Sequence, residues 1–196
     1  MMSAVALLTY PARPLNGGPL ETAPPKAGCW CYEPKYNGWR ALVHVPTGTM
    51  FNRHGARLSI SQEFTAALAL LRGSPFEWLD CEALERRHSV GRGTLVVLDC
   101  TASTPYVARR ELLSEQGWPV ALGSRESFPD HAVMLSASVE ASQAFPLWRR
   151  LQQDNRGSFG CDFYEGLVGK RADSLYPVQL VSPEQTTPHW IKHRFL

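Results

Sequence analysis

No apolar run is long: the longest, Ala66 to Leu71, falls far short of the ~18 residues that span a bilayer. The opening MMSAVALLTYPARP carries no basic leader ahead of its brief apolar stretch, so neither a membrane segment nor an export signal is expected. The reducing cytoplasm is then the expected compartment. Charge of one sign is equally scarce. A formal net charge of +2 is too even to mark a nucleic-acid binder by composition, although a local basic face fits inside it. With 44% hydrophobic and 19% charged residues, a disordered or fibrous chain is excluded. Cysteine is present but unsuited to a framework. Cys29, Cys31, Cys81, Cys100 and Cys161 are odd in number, and Cys29 and Cys31 lack a second Cys/His group at zinc spacing, so free thiols are expected. Internal repeats, low-complexity tracts and the regular βαβ alternation of a Rossmann-type sheet are all missing.

What is present suits one domain of 196 residues. Residues 1–28 carry Pro11, Pro14, Pro19, Pro24 and Pro25 with Gly17, Gly18 and Gly28, a composition that predicts an extended lead-in, with the domain over 29–196. Strand-like runs follow at Trp30–Glu33, Trp39–Val45 and Thr49–Asn52, separated by Asn37-Gly38 and Pro46-Thr-Gly48, which read as the turns of an antiparallel meander. Phe64, Ala67, Leu68 and Leu71 fall at helical spacing and predict an amphipathic helix over Gln62 to Arg72, capped by Ser61. Phe76–Leu84 and Thr94–Cys100 read as strands, Thr104-Pro105 as the start of a helix to Glu115, and His131–Leu135 as a strand. A helix from Pro146 to Gln153 and strands at Glu165–Arg171 and His189–Phe195 complete an α+β pattern.

The chemistry is carried by charged residues inside strand-like stretches, where they are costly unless paired or bound to something. Lys35 precedes an Asn-Gly turn in EPKYNGWR, with Arg40 five residues on; Arg53 lies in FNRHG, Glu82 in LDCEAL and Asp99 in LVVLDC. Glu165 and Lys170 share EGLVGKR, and Lys192 and Arg194 share WIKHR. Each taken alone is compatible with a solvated surface side chain.

Taken together and in order, these segments resemble the motifs of the covalent nucleotidyltransferase superfamily, most closely the adenylation domain of ATP-dependent DNA ligases. KYNGWR resembles the nucleophile motif, FNRHG the Arg-bearing strand after it, and FEWLDCEAL the acidic third motif. TLVVLDC with VARRELL, YEGLVGKRADSLY and HWIKHRF resemble the remaining stretches, so the likeness covers residues 29 to 195. The resemblance implies an α+β, ATP-grasp-like nucleotidyltransferase domain with antiparallel sheets flanked by helices around an ATP cleft. It implies a polynucleotide ligase in which Lys35 attacks the α-phosphate of ATP and forms lysyl-AMP. The AMP would then pass to a 5′-phosphate of nicked or broken DNA, in preference to RNA, before strand sealing. An RNA ligase, another nucleotidyltransferase of the same fold, or a catalytically impaired binding homologue are the competing readings.

The same resemblance assigns roles. Lys170, Lys192 and Arg194 join Lys35 as catalytic residues; a lysine amine, ordinarily protonated below about pH 10.4, needs neighbouring cations or burial to free its lone pair. Glu33, Arg40, Arg53, Glu82, Leu98, Lys170 and Lys192 would bind the nucleotide, with Glu33 at the adenine edge. Glu82 and Glu165 would hold Mg²⁺, a hard ion suited to carboxylate and phosphate oxygens. The sequence departs from the family in two places. Asn37 stands where an acidic residue is usual, and Leu98 where an aromatic commonly stacks on the purine, so adenine would lose a ring contact unless another residue such as Trp39 or Phe51 compensates. The chain also stops two residues past Arg194, whereas DNA ligases continue into an OB-fold domain. No OB-fold domain is therefore expected here: the chain would be a minimal enzyme that holds the nucleic acid by local basic side chains such as Arg149, Arg150 and Arg156, depend on a partner protein, be a fragment, or have lost strand joining.

Overall fold

The computed structural model describes residues 11–23, 28–85, 89–178 and 184–196; Pro24 and Pro25 of the lead-in lie outside them. Two sheets form the body. The first runs β1 (Arg13–Asn16), β11 (Thr186–Arg194), β10 (Tyr164–Arg171), β2 (Trp30–Tyr36) and β9 (Val139–Glu140). The second runs β4 (Thr49–Phe51), β3 (Trp39–His44), β5 (Trp78–Leu84), β6 (Thr94–Cys100), β8 (Val133–Ser136) and β7 (Val120–Ala121). Both are mixed and not purely antiparallel: β1 pairs parallel with β11, and β8 parallel with β6 and β7. A parallel pair needs a long crossover, and between β6 and β8 that crossover is α2 (Tyr106–Ser114).

Strand alternation sorts the side chains. In β2, Trp30, Tyr32 and Tyr36 join a core with Leu147, Trp148 and Leu151 of α3 (Ala144–Asp154), while Glu33 and Lys35 face a cleft on the other side. In β5, Leu79, Cys81 and Ala83 pack with Phe64 and with Ala67, Leu68 and Leu71 of α1 (Thr65–Leu71), which leaves Asp80 and Glu82 on the opposite face. The cleft is the space between these two inner faces. The stabilisation, at about 25 cal/mol per Å², comes from burying wide aliphatic and aromatic surface in these two cores, the first of which also reaches the second sheet through Leu84, Val96 and Met134 beside the polar cleft.

Several local expectations change. Asn37-Gly38 is not a hairpin turn: β2 and β3 belong to different sheets, so the chain crosses from one cleft wall to the other there. The helix expected from Gln62 begins as a 3₁₀ segment, Ser59–Phe64, before α1, and neither Ser61 nor Thr104 caps a helix through its side chain. Thr104 instead offers its backbone carbonyl to Arg109. Part of the extended lead-in is recruited into the first sheet as β1. Pro34 sits inside β2, where β9 covers only Cys31 and Tyr32, so β2 is locally an edge at which proline is tolerated, and the pairing with β10 slips just past it, opposite Lys35 and Tyr36. Among the described residues no helix is long and apolar enough to cross a membrane. The five cysteines form no disulfide.

Candidate active site

The cleft has a volume of about 450 Å³ and draws its walls from β2, β10 and β11 on one side and β3, β5 and β6 on the other. Lys35 opens onto it from the end of β2. Its Nζ lies 2.5 Å from Glu165 Oε2, and Arg194 Nη2 reaches the same oxygen at 3.1 Å. Glu165 faces the cleft because the β10–β2 register slips between Tyr164 and Gly166; a bulge of this kind re-aims one side chain. Gly166 makes the slip possible. It has φ +141°, and a Cβ there would fall 2.0 Å from the His193 carbonyl oxygen, so a side chain would push β11 away.

The crossover after Lys35 is held from both walls. Asn37 donates its backbone N–H to the Phe163 carbonyl and its side-chain amide to the Asp162 carbonyl, each at 2.9 Å. Gly38 donates its N–H to Glu82 Oε1 at 2.9 Å, and a Cβ on Gly38 would sit 2.6 Å from the Ala83 carbonyl. The residue that departs from the family pattern thus clips the Lys35 turn to the start of β10 without a charge. Glu82 is partly open to the cleft but crowded on every other side. That burial pushes its carboxyl up to about 7, against the pull of Lys35, the Gly38 N–H and Arg40.

The floor is a different environment. Lys170 is 2% exposed; its Nζ lies 3.1 Å from Glu33 Oε2 and 3.4 Å from Asp99 Oδ2, and donates to the Leu98 carbonyl at 2.7 Å. Tyr106 donates to Glu33 Oε1 at 2.5 Å. Arg109 forks onto both oxygens of Asp99 at 2.7 and 3.1 Å. Lys170 is therefore held in a buried network, whereas its motif alone suggests a free cation beside Lys35. Glu33 likewise has both oxygens engaged.

The remaining predicted residues divide. Arg40 lines the cleft but grips Asp80 at 2.9 and 2.6 Å, with Trp190 under its guanidinium at 5.2 Å. Arg53 lines it from a turn just past β4, outside any strand, and donates to His54 Nε2. Leu98 and Val168 line it from opposite walls. Lys192 lines it too, and its ammonium is pushed down in pKa by burial, then by Arg194, Lys35 and Arg13. Phe51 cannot compensate for Leu98: it is buried against Trp78. Trp39 stays at the rim, its indole N–H donated to Glu85. Arg149 and Arg150 are exposed on α3, behind the first sheet, and Arg150 pairs with Asp154.

Sequence reasoning missed Asp80, Trp190, Tyr106 and the β1 residues. Asp80 carried a signal, a carboxylate two residues before Glu82 and so on the same face of an apolar strand. Trp190 carried one as well, through its alternation with Lys192.

No protein-family model and no curated protein matches the sequence. Solved structures do match in fold. The ligase domain of M. tuberculosis LigD aligns at TM-score 0.60 and 21% identity, over 95% of this chain and 59% of that one. A mycobacterial DNA ligase D complexed with ATP and MES aligns at TM-score 0.59 and 22% identity, over 95% and 60%. A Lig E DNA ligase structure aligns at TM-score 0.55 and 11% identity, over 94% and 68%. The chain thus spans about three fifths of the two mycobacterial proteins. Two sheets enclosing a cleft that gathers all six sequence motifs, together with these neighbours, give this chain the α+β fold of the nucleotidyltransferase domain of ATP-dependent DNA ligases.

Proposed function

We propose that the chain is an ATP-dependent nucleotidyltransferase that adenylates itself on Lys35 and passes the AMP to the 5′-phosphate of a DNA break. The observation that carries this reading is the convergence of Lys35, Glu82, Glu165, Lys192 and Arg194 on one cleft. In the step proposed, the Lys35 nitrogen forms a bond to the α-phosphorus of ATP. The bond from that phosphorus to the oxygen bridging to the β-phosphate breaks, and pyrophosphate leaves with the electron pair. Glu165 Oε2, 2.5 Å from Nζ, is placed to take the amine proton. Lys192 and Arg194 line the same cleft and would meet the negative charge that develops on the phosphate, so their attraction would grow toward the transition state.

Among the described residues no group of three or more His, Cys, Asp or Glu side chains could hold a metal. Two carboxylates facing an open cleft suit Mg²⁺ nonetheless, because that ion is commonly held by one or two carboxylates plus substrate phosphates. Glu82 and Glu165 would hold it, and it would supply charge neutralisation on the phosphates. DNA is preferred as acceptor because the structures similar to this chain are DNA ligases; RNA is the competing acceptor. The test is intact mass after incubation with ATP and Mg²⁺, where one added AMP on the wild-type chain is expected. Absence of the adduct would remove the reading, and parallel sealing assays on nicked DNA and RNA decide the acceptor.

A further inference from the structure

Beyond the motif residues, the cleft has a contributor from the chain's opening segment. Pro11, Arg13 and Pro14 line it, although they lie far in sequence from every motif. The segment is fastened along its length. Ala12 and Arg13 donate backbone N–H groups to the Pro177 and Gln185 carbonyls, and Gly17 to that of Lys192. His193 Nδ1 lies 3.0 Å from the Gly18 carbonyl, and Leu20 is wholly buried. A Cβ on Gly17 would be 2.5 Å from Ile191, which shows how closely the strap lies on β11. Arg13 is thereby held in place by backbone bonds on both sides, and its guanidinium forks onto the Glu184 carboxylate.

Charge at this end of the cleft is out of balance. Arg13, Lys35, Lys192 and Arg194 all line the cleft, and besides burial the other three push the Lys192 ammonium down in pKa, with Glu165 alone opposing them. Glu165 serves Lys35 and Arg194, and Glu184 serves Arg13 from an exposed position. Lys192 has no carboxylate within ion-pair distance among the described residues. Four cations lining one part of the cleft, the one on the edge strand β1 held by a carboxylate that is itself solvent-exposed, suit a polyanion longer than one phosphate. The purine end, by contrast, is lined by Leu98 and Val168, with Glu33 and Lys170 already satisfied.

Resting on the adenylation reading, we propose that Arg13 is a binding residue for the β- and γ-phosphates of ATP, and that Glu184 occupies its guanidinium until the triphosphate displaces it. The bidentate fork of Arg13 suits two phosphate oxygens as it suits a carboxylate. This makes the two members of one ion pair act with opposite sign. Arg13→Ala should weaken ATP binding about tenfold or more, the scale of a charge-assisted hydrogen bond, and leave AMP binding within about twofold. Glu184→Gln should strengthen ATP binding, since the competitor is removed, and Arg13→Lys should recover part of the loss. Titration calorimetry with ATP and with AMP, each on wild type and the three variants, reads all of this. Equal losses for ATP and AMP in Arg13→Ala, unchanged ATP affinity in that variant, or weakened ATP binding in Glu184→Gln would each overturn the assignment. Failure of the adenylation reading is distinguishable, because it appears in the wild type as no ATP binding or no AMP adduct.

Discussion

Lys35 and Lys170 stand on neighbouring strands of the first sheet, both meet carboxylates, and differ in their access to water. The Lys35–Glu165 side chains are 21% and 26% exposed, whereas Lys170, Glu33 and Asp99 are 3%, 1% and 0% exposed. A partly solvated pair contributes about 0–1 kcal/mol and exchanges partners readily. A buried group in which every charge is matched is a lock, since removing one partner leaves an uncompensated charge and costs about 3–5 kcal/mol. In the proposed reaction the same two residue types serve as reactive pair and as scaffold. Burial sets the difference.

The contrast can be broken most sharply at Lys35. Lys35→Ala should abolish the AMP adduct seen by intact mass while thermal unfolding stays close to wild type. Lys170→Met should do the reverse in kind, lowering stability by about 3–5 kcal/mol in denaturant melts; wild-type stability in this variant would erase the distinction between the two lysines. Next come the acidic residues. Glu82→Ala and Glu165→Ala should each slow adenylation by about 10²-fold in single-turnover assays, and wild-type rates would return both to ordinary ion pairing.

A smaller effect follows from the raised carboxyl of Glu82. Its folded value of about 7 lies above the ordinary 4.5, so the folded state holds the proton more tightly than the unfolded chain. Its contribution to stability is therefore present below about 4.5 and lost as pH climbs through 7. Ionisation in the same window readies Glu82 for a cation, so kcat/KM for adenylation should rise through about pH 7. Glu82→Gln should flatten both profiles. Least affected are α3 and the Asn155–Phe159 turn that follows it. Replacing Arg149, Arg150 and Arg156 together with Ala should leave adenylation unchanged. If they touch nucleic acid at all, the salt slope for nicked-duplex binding should fall by no more than about 0.9 for each phosphate these arginines neutralise.

Much of the site was legible because strand alternation is a local property. A period of two puts Glu33 with Lys35, Asp80 with Glu82, and Lys192 with Arg194 on shared faces whatever the surroundings. The ordered motifs then mark these faces as one cleft, and the α+β class follows from the element order. The crossover at Asn37-Gly38 was not legible, because a turn signal states that the chain bends and says nothing of which sheet receives it. Arg53 was misread for a related reason: a strand's end is set by where its partner stops, and β4 pairs with β3 only from Thr49 to Phe51.

The sequence by itself determined which side chains share a face and which chemistry they can offer, since both depend on residue type and short-range geometry. Tertiary structure alone decided which lysine is desolvated, that Phe51 turns from the cleft to Trp78, that α3 carries its arginines behind the sheet, and that Arg13 enters the cleft beside β11. Each of these depends on packing between segments far apart in the chain, and burial, which sets the cost of a charge, is a property of that packing and of no single segment.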